Sequence, residues 1–107
     1  MEAAQVFKAL GDPARLEIVK RLTDGASYTI GTLSQDLDMS RQGARKQIQV
    51  LVSAEIVHLK PVGRETQVIL NASSLAMGRA FITDLESQWD QRLAALKNFV
   101  ENESKEP

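Results

Sequence analysis

The 107-residue chain has no cysteine, a single histidine, and only five aromatic residues: one tryptophan, one tyrosine and three phenylalanines. Without thiols there are no disulfides and no thiolate metal sites. One imidazole, His58, cannot form a chelate and gives no basis for a pH switch. No apolar run approaches the ~20 residues of a membrane span. The polar start Met1-Glu2-Ala3-Ala4-Gln5 is not that of a secretory signal peptide, so a cytoplasmic protein with no membrane partner is expected. A Gly-rich phosphate loop, a histidine placed with serine and carboxylate, and a metal-ligand cluster are all lacking. No enzyme, cofactor or metal site is therefore expected. The length suits one structural domain with a modest core.

Charge is nearly balanced, at −1 overall, but unevenly spread. Residues 39–64 carry Arg41, Arg45, Lys46, Lys60 and Arg64 against Glu55 alone, whereas both flanks are net acidic. A basic centre between acidic flanks can bind phosphate while limiting nonspecific adhesion.

Three prolines and six glycines make the breaks few and informative. Residues 3–10 form a short helical pattern with Val6, Phe7 and Leu10 apolar, broken by Gly11-Asp12-Pro13. Asp12 suits an N-cap and Pro13 a first helical position. Leu16, Val19 and Leu22 then carry a helix to about Asp24, ended by Gly25. Ser27 to Thr29 reads as a short strand. Thr29 or Gly31 opens a third helix with Leu33 and Leu37 inward, ending near Asp38-Met39. A tight turn leads into a fourth, which gives a helix-turn-helix candidate. Two strands follow, Ile56 to Val62 and Thr66 to Leu70, joined at Gly63-Arg64 as a hairpin.

The fourth helix has two faces. Ser40 is placed to cap it. At ~100° per residue, Ala44, Ile48 and Leu51 fall on one side, and Arg41, Gln42, Arg45, Lys46 and Gln49 on the other. Arginine can donate two hydrogen bonds to guanine and glutamine can pair with adenine. Gln42 and Arg45 are favoured for base edges, and Ser40, Arg41 and Lys46 for phosphates. Gln49 belongs to the same face. Lys60 and Arg64 flank the hairpin turn and suit backbone contact. The plain alternative is a solvated helix face and a charged, soluble hairpin.

From Ser73 or Ser74 a last helix runs to about Asn102, with Leu75, Ile82, Leu85, Trp89, Leu93, Leu96 and Val100 at spacings of mostly three and four. Thirty residues span about 45 Å, longer than a domain of this size is wide. The stripe needs a cover, and a second copy is the simplest. Ile82, Leu85, Trp89, Leu93 and Leu96 are therefore expected at a homodimer interface. The expected architecture is mainly α with a small β-hairpin. Residues 1–72 form a winged helix-turn-helix core, and residues 73–107 form a dimerisation helix with a frayed polar tail, Glu103 to Pro107.

The stretch Phe7-Lys8-Ala9-Leu10-Gly11-Asp12-Pro13-Ala14-Arg15-Leu16-Glu17-Ile18 resembles the opening signature of the ArsR/SmtB family of bacterial winged-helix repressors. The Ser40 helix, the Gly63-Arg64 wing and the terminal helix extend the resemblance over nearly the whole chain. Trp89-Asp90-Gln91-Arg92-Leu93 with Leu96-Lys97 is similar to a subgroup lacking the metal motifs. The resemblance implies a homodimer on a palindromic operator of double-stranded DNA, repressing transcription until a signal releases it. Where relatives hold a metal through cysteines, this chain reads Thr32-Leu33-Ser34-Gln35-Asp36-Leu37. The last helix has no histidine, and Asp84, Glu86 and Asp90 are poor ligands for a soft or borderline metal. No inducer is thus written in the sequence. Many relatives have Gly where this chain has Glu55, and a left-handed Glu there costs about 1 kcal/mol. Two other readings stand beside the repressor: a winged-helix module that docks protein, and a regulator sensing metal through carboxylates alone.

Overall fold

The computed structural model describes residues 2–104. The expected tail at 105–107 lies outside them, while Glu103 and Ser104 continue the last helix. The elements are α1 (Ala3–Leu10), α2 (Pro13–Leu22), β1 (Tyr28–Thr29), α3 (Ile30–Asp36), α4 (Arg41–Ser53), β2 (Val57–Val62), β3 (Glu65–Leu70) and α5 (Ala72–Ser104). No helix among the described residues is long and apolar enough to cross a membrane.

Local chemistry sets the helix starts. Asp12 Oδ1 accepts from the amides of Ala14 at 2.9 Å and Arg15 at 3.3 Å, with Pro13 in the first turn, where its missing N–H is no loss. Thr29 and Thr32 form a reciprocal capping box at the head of α3. Ser40 Oγ accepts from Gly43 N at 2.9 Å. A Cβ on Gly43 would stand 2.9 Å from that oxygen, so glycine keeps the cap close.

Both helices of the helix-turn-helix end in the same way. Asp38 and Glu55 have φ of 51° and 59°. At the end of α3, Asp38 N bonds Gln35 O and Met39 N bonds Ser34 O; at the end of α4, Glu55 N bonds Val52 O and Ile56 N bonds Leu51 O. These are paired Schellman closures with no glycine at the left-handed position. Aspartate tolerates that conformation through its short polar side chain, and glutamate does so less well.

The core joins α1 to α4 and the sheet through Val6, Ile18, Leu33, Ile48, Leu51 and Ile56, all nearly inaccessible. Two expectations for α2 need correction. The helix ends at Leu22, and Leu16 is 51 % exposed; Ile18 fills the core beside Val19 and Leu22 instead. The hairpin is β2–β3, with Val62 opposite Glu65 across Gly63-Arg64. Gly63 takes φ 64° at the first turn position, as in a type II′ turn. A third strand completes the sheet in the order β1-β3-β2, with Tyr28 paired to Val68 and Thr29 to Gln67.

Two polar ties fix α4 against its neighbours. The Arg15 side chain bonds Ala9 O at 2.6 Å, Lys8 O at 3.4 Å and, across 32 residues, Gln47 Oε1 at 3.0 Å. It also lies 4.0 Å from the Asp12 carboxylate. One side chain thus joins the end of α1, the start of α2 and the middle of α4. At the other end of α4, the Glu55 carbonyl accepts from Asn71 Nδ2 at 2.7 Å and from the Ser74 hydroxyl. Asn71 Oδ1 in turn accepts from Ser73 N at 3.2 Å, which caps α5. The corner that closes α4 is therefore also where α5 starts.

Helix α5 leaves the domain, and the molecule measures 78 × 25 × 22 Å. Its first turns pack on α1, where the Phe7 and Phe81 rings lie 5.8 Å apart and tilted by 59°. From Phe81 to Glu103 every residue is exposed.

Candidate nucleic-acid interface

Ala44, Ile48 and Leu51 are buried and fix which side of α4 faces out. At ~100° per residue, the opposite direction falls between Gln42 and Lys46, with Gln49 beside them. All three side chains are exposed. Arg41 and Arg45 are also exposed but lie to one side of that direction, about 40° apart. Arg45, favoured from the sequence for a base edge, is one of these two. It lies toward α3 and the wing.

On that side the structure gathers residues that are distant in sequence. Arg41, Arg45 and Arg64 share a polar notch of about 240 Å³ with Thr29, Ile30, Gly31, Glu65 and Thr66. Gly31 makes the approach possible, because a Cβ there would stand 2.6 Å from an Arg41 guanidinium nitrogen. Among the described residues, none of these arginines makes an ion pair within 4.0 Å. Lys60 is exposed on β2 outside the notch, and Ser40 spends its acceptor on the helix cap. His58 is exposed on the same strand. Thr29 and Thr66 were not anticipated from the sequence. Their place at the notch follows from β1 pairing with β3, which only the fold discloses.

The five expected interface residues on α5 also share a side. Ile82, Leu85, Trp89, Leu93 and Leu96 fall within about 80° of one another, and each is exposed, Trp89 by 59 %. Phe81 and Phe99 border the stripe, Phe99 at 64 % exposure. Among the described residues no group of three or more histidines, cysteines or carboxylates could hold a metal ion.

Two helices joined by a tight turn, a basic outer face on the second and a wing beside it define a winged helix-turn-helix. A helix-turn-helix domain family matches residues 10–60. The chain is 31% identical over 99 residues to the HTH-type transcriptional regulator Rv2034 of Mycobacterium tuberculosis, covering 92% of this chain and 89% of that one. Among solved structures, an ArsR-like transcriptional regulator from Rhodococcus sp. RHA1 is 32% identical. It superposes with a TM-score of 0.83 over 92% of this chain and 90% of that one. The transcriptional repressor BigR from Xylella fastidiosa is 25% identical, with a TM-score of 0.61 over 75% of this chain and 82% of that one. The chain belongs to the ArsR family of winged helix-turn-helix transcriptional regulators. It is a DNA-binding regulator and not an enzyme.

Proposed function

We propose that the chain is a homodimeric repressor that reads a palindromic operator in the cytoplasm. Residues 1–72 carry the DNA-binding core, and residues 73–107 supply the dimerisation helix. Ile82, Leu85, Trp89, Leu93 and Leu96 pair with the same residues of a second copy. The paired helices set the separation of the two α4 helices, which enter successive major grooves about 34–36 Å apart. Ser40, Arg41, Gln42, Arg45, Lys46 and Gln49 meet the duplex from α4, and Lys60 and Arg64 meet it from the wing. Repression follows from occupying the promoter, and the relative BigR is itself a transcriptional repressor.

The observation that carries this reading is the row of unpaired cations on α4 and the wing. Arg41, Arg45, Lys46, Lys60 and Arg64 are exposed, and among the described residues none is in an ion pair. A protein-docking face would instead present aromatic or aliphatic anchors. The test is selection of bound duplex from a random library, followed by mobility shifts at several salt concentrations. A two-fold symmetric consensus with half-sites one helical turn apart is expected, with affinity falling steeply as salt rises. Enrichment of no consensus would refute the operator reading.

A further inference from the structure

The family places α4 against DNA but does not divide the work among its side chains. We propose that the notch formed by Arg41, Arg45 and Arg64 seats a single phosphate of the DNA backbone. Arg45 then anchors the helix and does not read a base. The proposal rests on the duplex-binding function above and assigns the roles within it.

Three arginines come from three places in the sequence, two successive turns of α4 and the tip of the wing, and line one polar recess. Like charges gathered this way repel unless an anion lies between them. Glu65 is the single carboxylate among the lining residues, and it pairs with none of the three within 4.0 Å. The side-chain-free face of Gly31 leaves room for the Arg41 guanidinium at the wall of the recess. At ~30 Å³ per water, the recess has room for one phosphate group and a few waters. Arginine forks match phosphate oxygens geometrically as well as in charge.

The direction of the side chains on α4 agrees. With Ala44, Ile48 and Leu51 inward, Gln42, Lys46 and Gln49 project farthest from the domain. The two arginines stand beside the helix, where a strand backbone passes at the groove edge. Base edges fall to Gln42, Lys46 and Gln49. Because the wing supplies Arg64, one phosphate also fixes the wing relative to α4.

The test uses the full-length protein with the selected duplex and a random duplex of equal length. Arg41→Ala, Arg45→Ala and Arg64→Ala are each expected to weaken both duplexes by the same factor, on the order of tenfold, with unchanged melting temperature. Gln42→Ala is expected to weaken the selected duplex more than the random one. Three side chains on one phosphate give a specific salt signature. The triple alanine variant should lower the salt slope by about two per dimer rather than about six. A methylphosphonate scan should find one position per half-site that weakens the parent protein and does not further weaken any of the three variants.

The seat is overturned if Arg45→Ala collapses the preference for the selected duplex, or if the three variants map to three different phosphates. It is also overturned if sub-millimolar inorganic phosphate releases duplex at constant ionic strength, which would mark a free anion as the occupant. A parent protein that binds no duplex at any salt refutes the function itself, which separates that failure from a failure of the seat alone.

Discussion

The compact part of the molecule and the outer part of α5 treat similar apolar side chains in opposite ways. Ile18, Leu33, Ile48 and Leu51 are sealed among α2, α3, α4 and the sheet, whereas Leu85, Trp89, Leu93 and Leu96 stand in solvent on a helix with no neighbour beyond α1. In the first region each helix is stabilised by several others, so short helices of seven to ten residues persist. In the second, one long helix offers a narrow stripe to nothing in its own chain. Helical periodicity alone does not say whether a stripe is core or interface. Packing decides, and in the single chain Leu85, Trp89, Leu93 and Leu96 remain exposed.

The comparison breaks most visibly at the stripe. Replacing both Trp89 and Leu93 by Asp should cost on the order of 4 kcal/mol of association. The parent is expected to sediment as the proposed dimer and the product as a monomer, with little change in the unfolding of the core. A dimer that survives both charges would place the interface elsewhere. Within the compact region a smaller effect is expected at Arg15. Arg15→Met leaves two backbone carbonyls and Gln47 without their charged donor, for a loss of about 2 kcal/mol in chemical denaturation. Dimerisation should be unaffected.

Glu55→Gly should act in the opposite sense. It relieves a left-handed residue at φ 59° and leaves the carbonyl bonds to Asn71 and Ser74 intact. Stability is expected to rise by about 1 kcal/mol, raising the melting temperature by several degrees, with DNA binding retained. A lower melting temperature would mean that the glutamate stem supplies packing.

The smallest effect concerns acid. The Tyr28 hydroxyl bonds the Asp24 carboxylate, and this bond, with a further one from Ala26 N, holds Asp24 below the usual carboxylate value. A carboxyl depressed by folding adds stability above its unfolded value, and that stability is lost as pH falls through the folded one. Tyr28→Phe should therefore flatten the acid limb of stability below about pH 4 and leave neutral pH nearly unchanged. An unaltered acid limb would remove this pair from the pH dependence.

What could be read from the sequence was local. Asp12 and Ser40 cap the helices that follow them because capping needs only a side chain and the next turn, and of the two starts open for α3, Thr29 or Gly31, Thr29 is the cap. The faces of α4 and the α5 stripe are set by periodicity within one helix. What could not be read was pairing over distance. Leu16 fits the helical period as well as Ile18, and only the positions of α1 and α4 decide which is covered. The link from Arg15 to Gln47 spans 32 residues. The notch needs β1 beside β3 to bring Thr29 and Gly31 near Arg64. Asp38 took a left-handed turn that no glycine announced. Its cue was the tight spacing between two capped helices.

Helix α5 has one further consequence. An isolated helix gains little from its own hydrogen bonds in water, and beyond its contacts with α1 every described residue of this one, from Ser87 to Glu103, is exposed. With a second copy as its cover, melting of the outer helix and separation of the two chains become one event governed by mass action. Dilution then works as a denaturant, and the thermal midpoint climbs with protein concentration. On the proposed dimer reading, protein concentration sets both how much of the helix is folded and how much dimer is present to bind DNA.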